Sequence, residues 1–451
     1  MQHDDGTIDL LSTNFHSTPD TGFVVEPLCL AYGLLQQQPS LTVLPLLRAF
    51  LLRAGEALSI GGIHTPNHRW VVCMALARLH SLFPNVNYLK RIEQWLYEQI
   101  DIDPDGQYTE RSTNIYTPLT NRCLITMARL LSRPELYEPV RKNLMMMLYY
   151  VHPNGELVTE ASGRQDRNTI GDFNVYYYAY RYMALLDSNP LFAGAIQYME
   201  ANTTQESLSG YLPYFLEDAT LKRDLLYSTA LPTNYLKYFS YSNIVRIRRG
   251  NYDATILADS ATLFTFTKGK AVLQAVRWAS AFFGKGQMIA PALQVIDGSI
   301  RMEQELSAPY HQPYPIAKLP NDGNWQKMPR ENRTQSEVQF LRSVLWVKEL
   351  ESGGFSLTIK VDGTDHVPLA IELAFRKGGQ FSGVENLPNV PNAWLLSSGY
   401  GTYTFDSDQI TFGAGNKAHQ WTQLRGALPK LDADSVYITG FTPFEMKLDI
   451  V

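Results

Sequence analysis

The sequence predicts an α+β chain of two domains, helical hairpins first and an antiparallel β-sandwich second. Three observations carry this. The chain has 451 residues, more than one hydrophobic core usually serves. Apolar residues recur every three to four positions from about Cys29 to Met199. From about Asn243 the period changes to two, with Gly-rich turns between short runs. The boundaries read as 1–205 for the helical domain, 206–242 for a connecting segment and 243–451 for the sandwich.

The elements follow in order. Between Asn67 and Phe83, the residues Val71, Val72, Ala75, Leu76, Leu79 and Phe83 form one stripe, with Asn67 as the expected N-cap and Pro84 ending the run. A second helix spans about Val86 to Ile100 and stops at the turn Asp103-Pro104-Asp105-Gly106. A third starts near Tyr116 and carries Leu119, Cys123, Met127 and Leu130. A fourth runs from about Pro134 to Tyr150 and ends at His152-Pro153-Asn154-Gly155. A fifth covers about Phe173 to Leu186. Paired helices with short turns pack as bundles, solenoids or toroids. In the second half, Phe355, Leu357, Ile359 and Val361 alternate with Ser356, Thr358 and Lys360. Leu263–Thr267 and Ala271–Trp278 flank Lys268-Gly269-Lys270 as a hairpin. Leu369–Phe375, Thr402–Phe405, Gln409–Phe412 and Ser435–Thr439 are further strands, and Tyr310–Arg333 is a long loop.

Composition excludes several classes. The 45% apolar and 18% charged content is that of a folded protein. A net charge of -5 argues against nucleic acid, which selects a basic field, but leaves room for an acidic sugar held by a few local cations. No run of about 18 apolar residues exists, so no membrane span is expected. Met1–Leu10 is polar and acidic and does not read as a signal peptide; the expectation is a cytoplasmic protein, or a periplasmic or secreted one whose export signal has been removed. Cys29, Cys73 and Cys123 sit in apolar helical contexts and read as buried thiols. Neither a P-loop, GxGxxG, HExxH nor GxSxG is present, which removes support for nucleotide chemistry and serine hydrolysis.

Three polar segments interrupt the helical pattern at helix ends. The first is Gly61-Gly62-Ile63-His64-Thr65-Pro66-Asn67-His68-Arg69-Trp70, two glycines followed by imidazoles, an amide, a guanidinium and an indole. The second, Asp105 to Tyr116, contains Tyr108, Glu110 and Arg111 and ends in a tyrosine at a helix start. The third runs from His152 to Arg167 and concentrates Arg164, Gln165 and Asp166 with Glu156 and Glu160. Each also has a plain structural reading as a cap or a solvated loop. His64 and His68 are four apart, as a shared metal ligand pair on a helix would be, but Pro66 breaks that register, so neither metal nor cofactor is expected.

At these residues the chain resembles the heparinase II/III-like polysaccharide lyases. Asn67-His68 opening a helix resembles that family's Asn/His motif. Asp105-Gly106 with Tyr108, Glu110 and Tyr116 resembles its Asp-Gly-Tyr-Glu motif, which ends in the catalytic tyrosine; Tyr116 follows Asn67 by 49 positions. Phe282-Phe283-Gly284-Lys285-Gly286 is similar to its sandwich domain. The resemblance implies an incomplete (α/α) toroid of helical hairpins ahead of the sandwich. It also implies β-elimination on a uronate-containing glycan, with Tyr116, His68 and Asn67 as catalytic residues. His64, Arg69, Trp70, Tyr108, Glu110, Arg111, His152, Arg164, Gln165 and Asp166 would then bind substrate. The family's later catalytic histidine has no evident counterpart; His152 and His311 are candidates by role. Two rivals share the pattern. A glycoside hydrolase needs two carboxylates, for which Asp105, Glu110, Glu160 and Asp166 are available. A sugar-binding protein needs the fold without turnover.

Overall fold

A computed structural model describes residues 1–225 and 227–451. The chain divides into two compact units: Met1–Thr233 with Phe239–Ser242, and Asn234–Tyr238 with Asn243–Val451.

The first unit is helical. α1 (Thr18–Leu35), α2 (Val43–Ile60), α3 (Pro66–Leu82), α4 (Val86–Tyr97), α5 (Tyr116–Leu131), α6 (Tyr137–Met147), α7 (Tyr177–Asp187) and α8 (Pro190–Asn202) follow one another. Consecutive helices pair as hairpins, α1 with α2, α3 with α4, α5 with α6 and α7 with α8. Across the pairs, α3 packs on α1 and α5, and α5 packs on α7. This is the incomplete toroid. α3 is buried from Asn67 through Leu79, so it reads apolar nearly all round. Gly55 on α2 is where the Tyr88 ring of α4 comes in: a Cβ there would lie 2.2 Å from the Tyr88 hydroxyl.

The segment expected to be a connector contributes structure to this unit. Leu212–Glu217 forms a short helix against α1. The Tyr214 hydroxyl donates to Glu26 of α1 at 2.8 Å. Arg78 of α3 and Arg129 of α5 both reach Glu217, at 2.7 and 2.5 Å, while Arg122 of α5 lies 3.2 Å from Glu26. Two carboxylates thus tie α1, α3, α5 and the short helix together where Arg78, 2% exposed, would otherwise be a lone buried charge. The three cysteines are free thiols buried in this unit. Burial pushes the Cys29 thiol up to about 12 and the Cys73 and Cys123 thiols up as well.

The second unit is the β-sandwich. One sheet runs from Glu385–Asn386 through Ala393–Leu395, Asp434–Phe441, Pro368–Phe375, Ala271–Ser280, Phe264–Lys268, Tyr252–Leu257 and Ile244–Arg249 to Asn234–Phe239. The other runs from Leu293–Ile296 through Ser299–His311, Gln335–Glu349, Phe355–Gly363, Phe444–Ile450, Asp408–Gly413 and Tyr400–Phe405 to Gln380–Ser382. Ala393–Leu395 runs parallel to Asp434–Phe441, among neighbours such as Pro368–Phe375 with Ala271–Ser280 and Gln335–Glu349 with Phe355–Gly363 that pair antiparallel. Alternate residues of both sheets, Phe264, Phe266, Trp278, Phe355, Ile359, Phe375 and Phe412 among them, meet in one core. On the opposite face of the first sheet, Arg277 and Glu372 are register partners and pair at 2.5 Å, with Ser435 donating to Glu372.

Candidate functional site

The loops entering α3 and α5 converge. Pro66 takes the first position of α3 and Thr65 its cap, so Asn67 falls inside the first turn instead of at the cap position expected for it; a proline at the first helical position fixes that register. Both N–H groups of Asn67 then face Glu110. Its side-chain Nδ2 donates to Glu110 Oε1 at 2.6 Å and its backbone N–H to the same oxygen at 3.2 Å. A buried carboxylate at a helix N-terminus is favoured by the exposed N–H groups and the helix dipole. The other oxygen, Oε2, lies 3.9 Å from Arg164 Nη1.

Arg164 connects this pair to the tyrosine. Its guanidinium stands 5.2 Å over the Tyr116 ring. Gln165 Nε2 donates to the Tyr116 hydroxyl at 2.7 Å. Tyr116 is the first residue of α5, and its backbone N–H donates to Ser112 Oγ. Asn67, Glu110 and Tyr116 line one small cavity together with Trp70, Asp101, Tyr108, Thr117 and Thr120. Five expected residues, Asn67, Glu110, Tyr116, Arg164 and Gln165, therefore form a single connected group.

His68 follows Asn67 on α3 and is 8% exposed. Its ring meets the exposed His64 edge-on at 4.7 Å and Phe23 at 6.1 Å. Burial first, then the charges of His64 and Arg164, push the imidazole down to about 4, so it is neutral at pH 7. Three buried polar atoms in this region, Asn67 Oδ1, His68 Nδ1 and Glu110 Oε2, find no hydrogen-bond partner among the described residues. Orphaned buried polar atoms call for an explanation such as a bound water, an ion or a catalytic role. Among the described residues no group of three or more His, Cys, Asp or Glu is placed to hold a metal ion.

Other expected contacts are absorbed by the fold. Arg69 Nη2 pairs with Asp101 at 2.6 Å and Nη1 with Glu98 at 3.3 Å, while its guanidinium lies 4.6 Å over the Trp70 ring. The Trp70 indole donates to the same Asp101. The Tyr108 hydroxyl donates to Asn121 Oδ1 at 2.9 Å, Asn121 to Asn143, and Asn143 to the carbonyl of Gly106. Asp166 Oδ2 accepts from the Asn114 N–H and from Ser162. Arg69, Trp70, Tyr108 and Asp166 are thus buried side chains with hydrogen-bond partners inside the helical unit. Arg111 adopts φ 48°, and its carbonyl accepts from Gly163 N–H, clipping the second polar segment to the third. His152 sits 3.5 Å from Glu160, both nearly buried. His311 ends a strand of the second unit. Asp101, Asn121 and Asn143 were missed by sequence reasoning.

A helical toroid followed by a β-sandwich is the scaffold of a class of polysaccharide lyases, and solved structures of that class match this chain. The crystal structure of heparinase III is 14% identical over 97% of this chain and 69% of its own, with a TM-score of 0.58. Heparan sulfate lyase HepC from Pedobacter heparinus is 11% identical over 96% of this chain and 67% of its own, TM-score 0.53. The Streptomyces coelicolor A3 chondroitin AC lyase, in complex with chondroitin sulphate, is 11% identical over 91% and 65%, TM-score 0.50. The chain thus spans about two thirds of the length of these proteins, and what it shares with them is the fold. No family model matches the sequence, and neither does any curated protein.

Proposed function

We propose that this chain is a polysaccharide lyase that cleaves a uronate-containing glycan by β-elimination, leaving a 4,5-unsaturated uronate. One observation carries the reading: Asn67, Glu110, Arg164, Tyr116 and Gln165 form a connected group, three of whose members, Asn67, Glu110 and Tyr116, line one small cavity. The reaction needs a base at C5, an acid at the glycosidic oxygen on C4, and donors for the negative charge that grows on the carboxylate.

His68 is the base in this reading. A neutral imidazole with an unengaged Nδ1 can take the C5 proton. The electron pair of that C–H bond forms the C4–C5 double bond, and the C4–O bond breaks. Tyr116 gives its phenolic proton to the departing oxygen; a phenol is protonated at neutral pH. Arg164, with its side chain 34% exposed, supplies positive charge to the uronate carboxylate. The Asn67 amide, fixed by Glu110, stands beside it. Donors aimed at developing charge are typically worth about 100- to 1,000-fold in rate each.

The test is incubation of the purified chain with a panel of uronate polysaccharides and oligosaccharides, read by ultraviolet absorbance of the conjugated product. A rise that Tyr116→Phe reduces by about 100- to 10,000-fold, with binding retained, is the expected result. New reducing ends without absorbance would make it a hydrolase. Binding with no turnover on any uronate would make it a lectin-like protein.

A further inference from the structure

The second unit has a polar cavity of its own. Residues 414–433 form an irregular strap between the strands Asp408–Gly413 and Asp434–Phe441. Part of the strap is fastened to the first sheet. The Leu428 N–H donates to Gln287 Oε1 at 3.0 Å, and Arg277 Nη2 donates to the Pro429 carbonyl at 2.6 Å. Beside these bonds lies a cavity whose lining includes Arg277, Glu372, Gln287, Gln423, Lys430 and Tyr437. Its volume is about 280 Å³ including the open mouth. That falls just below the range of drug-sized sites, about 300–1,000 Å³, so the cavity suits a small ion or a single polar group.

The charged lining is two cations, Arg277 and Lys430, against one carboxylate, Glu372. Glu372 is engaged at both oxygens: Arg277 Nε donates to Oε2 at 2.5 Å and Ser435 Oγ to Oε1 at 2.7 Å. Arg277 is 6% exposed. With Nε on Glu372 and Nη2 on Pro429, its Nη1 has no acceptor among the described residues. Lys430 Nζ donates to the Ala433 carbonyl, one acceptor for an ammonium with three N–H groups. Burial holds the Lys430 amine below its ordinary value, with Lys377 acting in the same sense, although Glu372, Asp434 and Asp432 pull it up. The carboxylates around this ammonium therefore under-compensate its desolvation. Unused N–H groups on two cations beside a cavity are the donors that a small anion binds most strongly.

We propose that this cavity is an anion site that takes one small monovalent anion, a halide or the carboxylate of a small acid, held by Arg277 and Lys430. The surplus of one positive charge in the lining matches a single negative charge. Arg277 belongs to the sheet and Lys430 to the strap, so the anion fastens one to the other, and its binding adds to the stability of the sandwich.

Chloride is the first probe. The full chain is titrated with sodium chloride at constant ionic strength, balanced with a bulky sulfonate so that screening stays fixed, and the chloride-35 magnetic resonance linewidth is followed. The parent should show a saturable excess linewidth. Lys430→Met removes one charged donor and should weaken binding about tenfold or more; Lys360→Met, on an exposed strand position of the other sheet, should leave it unchanged. Lys430→Gln, which keeps a donor for the Ala433 carbonyl, stands in if the apolar variant does not fold. The melting temperature of the parent should rise by roughly 3–6 °C at about ten times the dissociation constant, and that of the Lys430 variants should not. Formate then competes with chloride: displacement assigns the site to carboxylates as well as halides, and no displacement strikes the carboxylate from the proposal. An excess linewidth that never saturates, or equal chloride affinity in the parent and the Lys430 variants, overturns the site.

Discussion

Glu110→Ala tests the scaffold of the site directly. Glu110 Oε1 is the acceptor for both N–H groups of Asn67, at 2.6 and 3.2 Å, and Asn67 is 3% exposed. Alanine leaves the backbone donor without an acceptor and the side-chain amide with only Thr65 Oγ1, at 3.3 Å. Each such donor costs about 1–3 kcal/mol, and the lost interaction with the N-terminus of α3 adds about 0.3–1 kcal/mol. Removing the orphaned Oε2 offsets part of this. The net is about 3 kcal/mol, which lowers the melting temperature of a unit this size by about 6–12 °C. Glu110→Gln keeps one oxygen for the Asn67 amide and should lose about half as much. Differential scanning calorimetry of the parent and both variants gives the comparison. In the absorbance assay the alanine variant should also lose turnover, because Asn67 is no longer held. A melting temperature within about 1 °C of the parent would refute the bond network drawn here.

Two further predictions concern acid and a turn. The His68 imidazole is held down at about 4, against an ordinary 6.5, chiefly by burial. The unfolded chain therefore takes up a proton below pH 6.5 that the folded chain refuses, so stability is lost as pH falls from about 6.5 to about 4. His68→Gln should flatten that part of a denaturation-midpoint against pH curve; an unchanged slope would reject the buried neutral imidazole. Gly106 has φ +105°, and a Cβ there would lie 2.6 Å from the Lys142 carbonyl. Gly106→Ala should cost at least about 1–3 kcal/mol in urea denaturation. Gly62→Ala, with nothing within 4 Å, should stay within about 0.5 kcal/mol. Equal midpoints for the two variants would contradict this geometry.

Local pattern made the regular elements readable. Leu119, Cys123 and Met127 repeat along α5, and its start at Tyr116 is where the polar stretch stops. Phe355 to Val361 alternates strictly because one face lies in the sandwich core. The turn Lys268-Gly269-Lys270 announced its hairpin, and Gly269 does adopt a positive φ. Long-range effects were not readable. Thr65 and Asn67 are both capping types, and the helix register set by Pro66 decides between them. The 205–217 stretch lacks a long stripe; it is helical because Tyr214 and Glu217 find Glu26, Arg78 and Arg129 far along the chain.

The same division applies to the site. The polar clusters at 61–70, 105–116 and 152–167 stood out as residue types, and five of their members meet. Which members face inward depends on partners the sequence does not advertise. Asp101 takes Arg69 and Trp70, Asn121 takes Tyr108, and Asn114 with Ser162 takes Asp166. Nor does spacing reveal that Asn67 and Glu110, 43 apart, share two hydrogen bonds.

All the sulfhydryls of this molecule reside in the helical unit, and none is accessible while that unit is closed. Alkylating reagents attack thiolates, so modification must wait for an opening event. The labelling rate is thus an intrinsic clock for excursions of the helices, silent to whatever the sheets do.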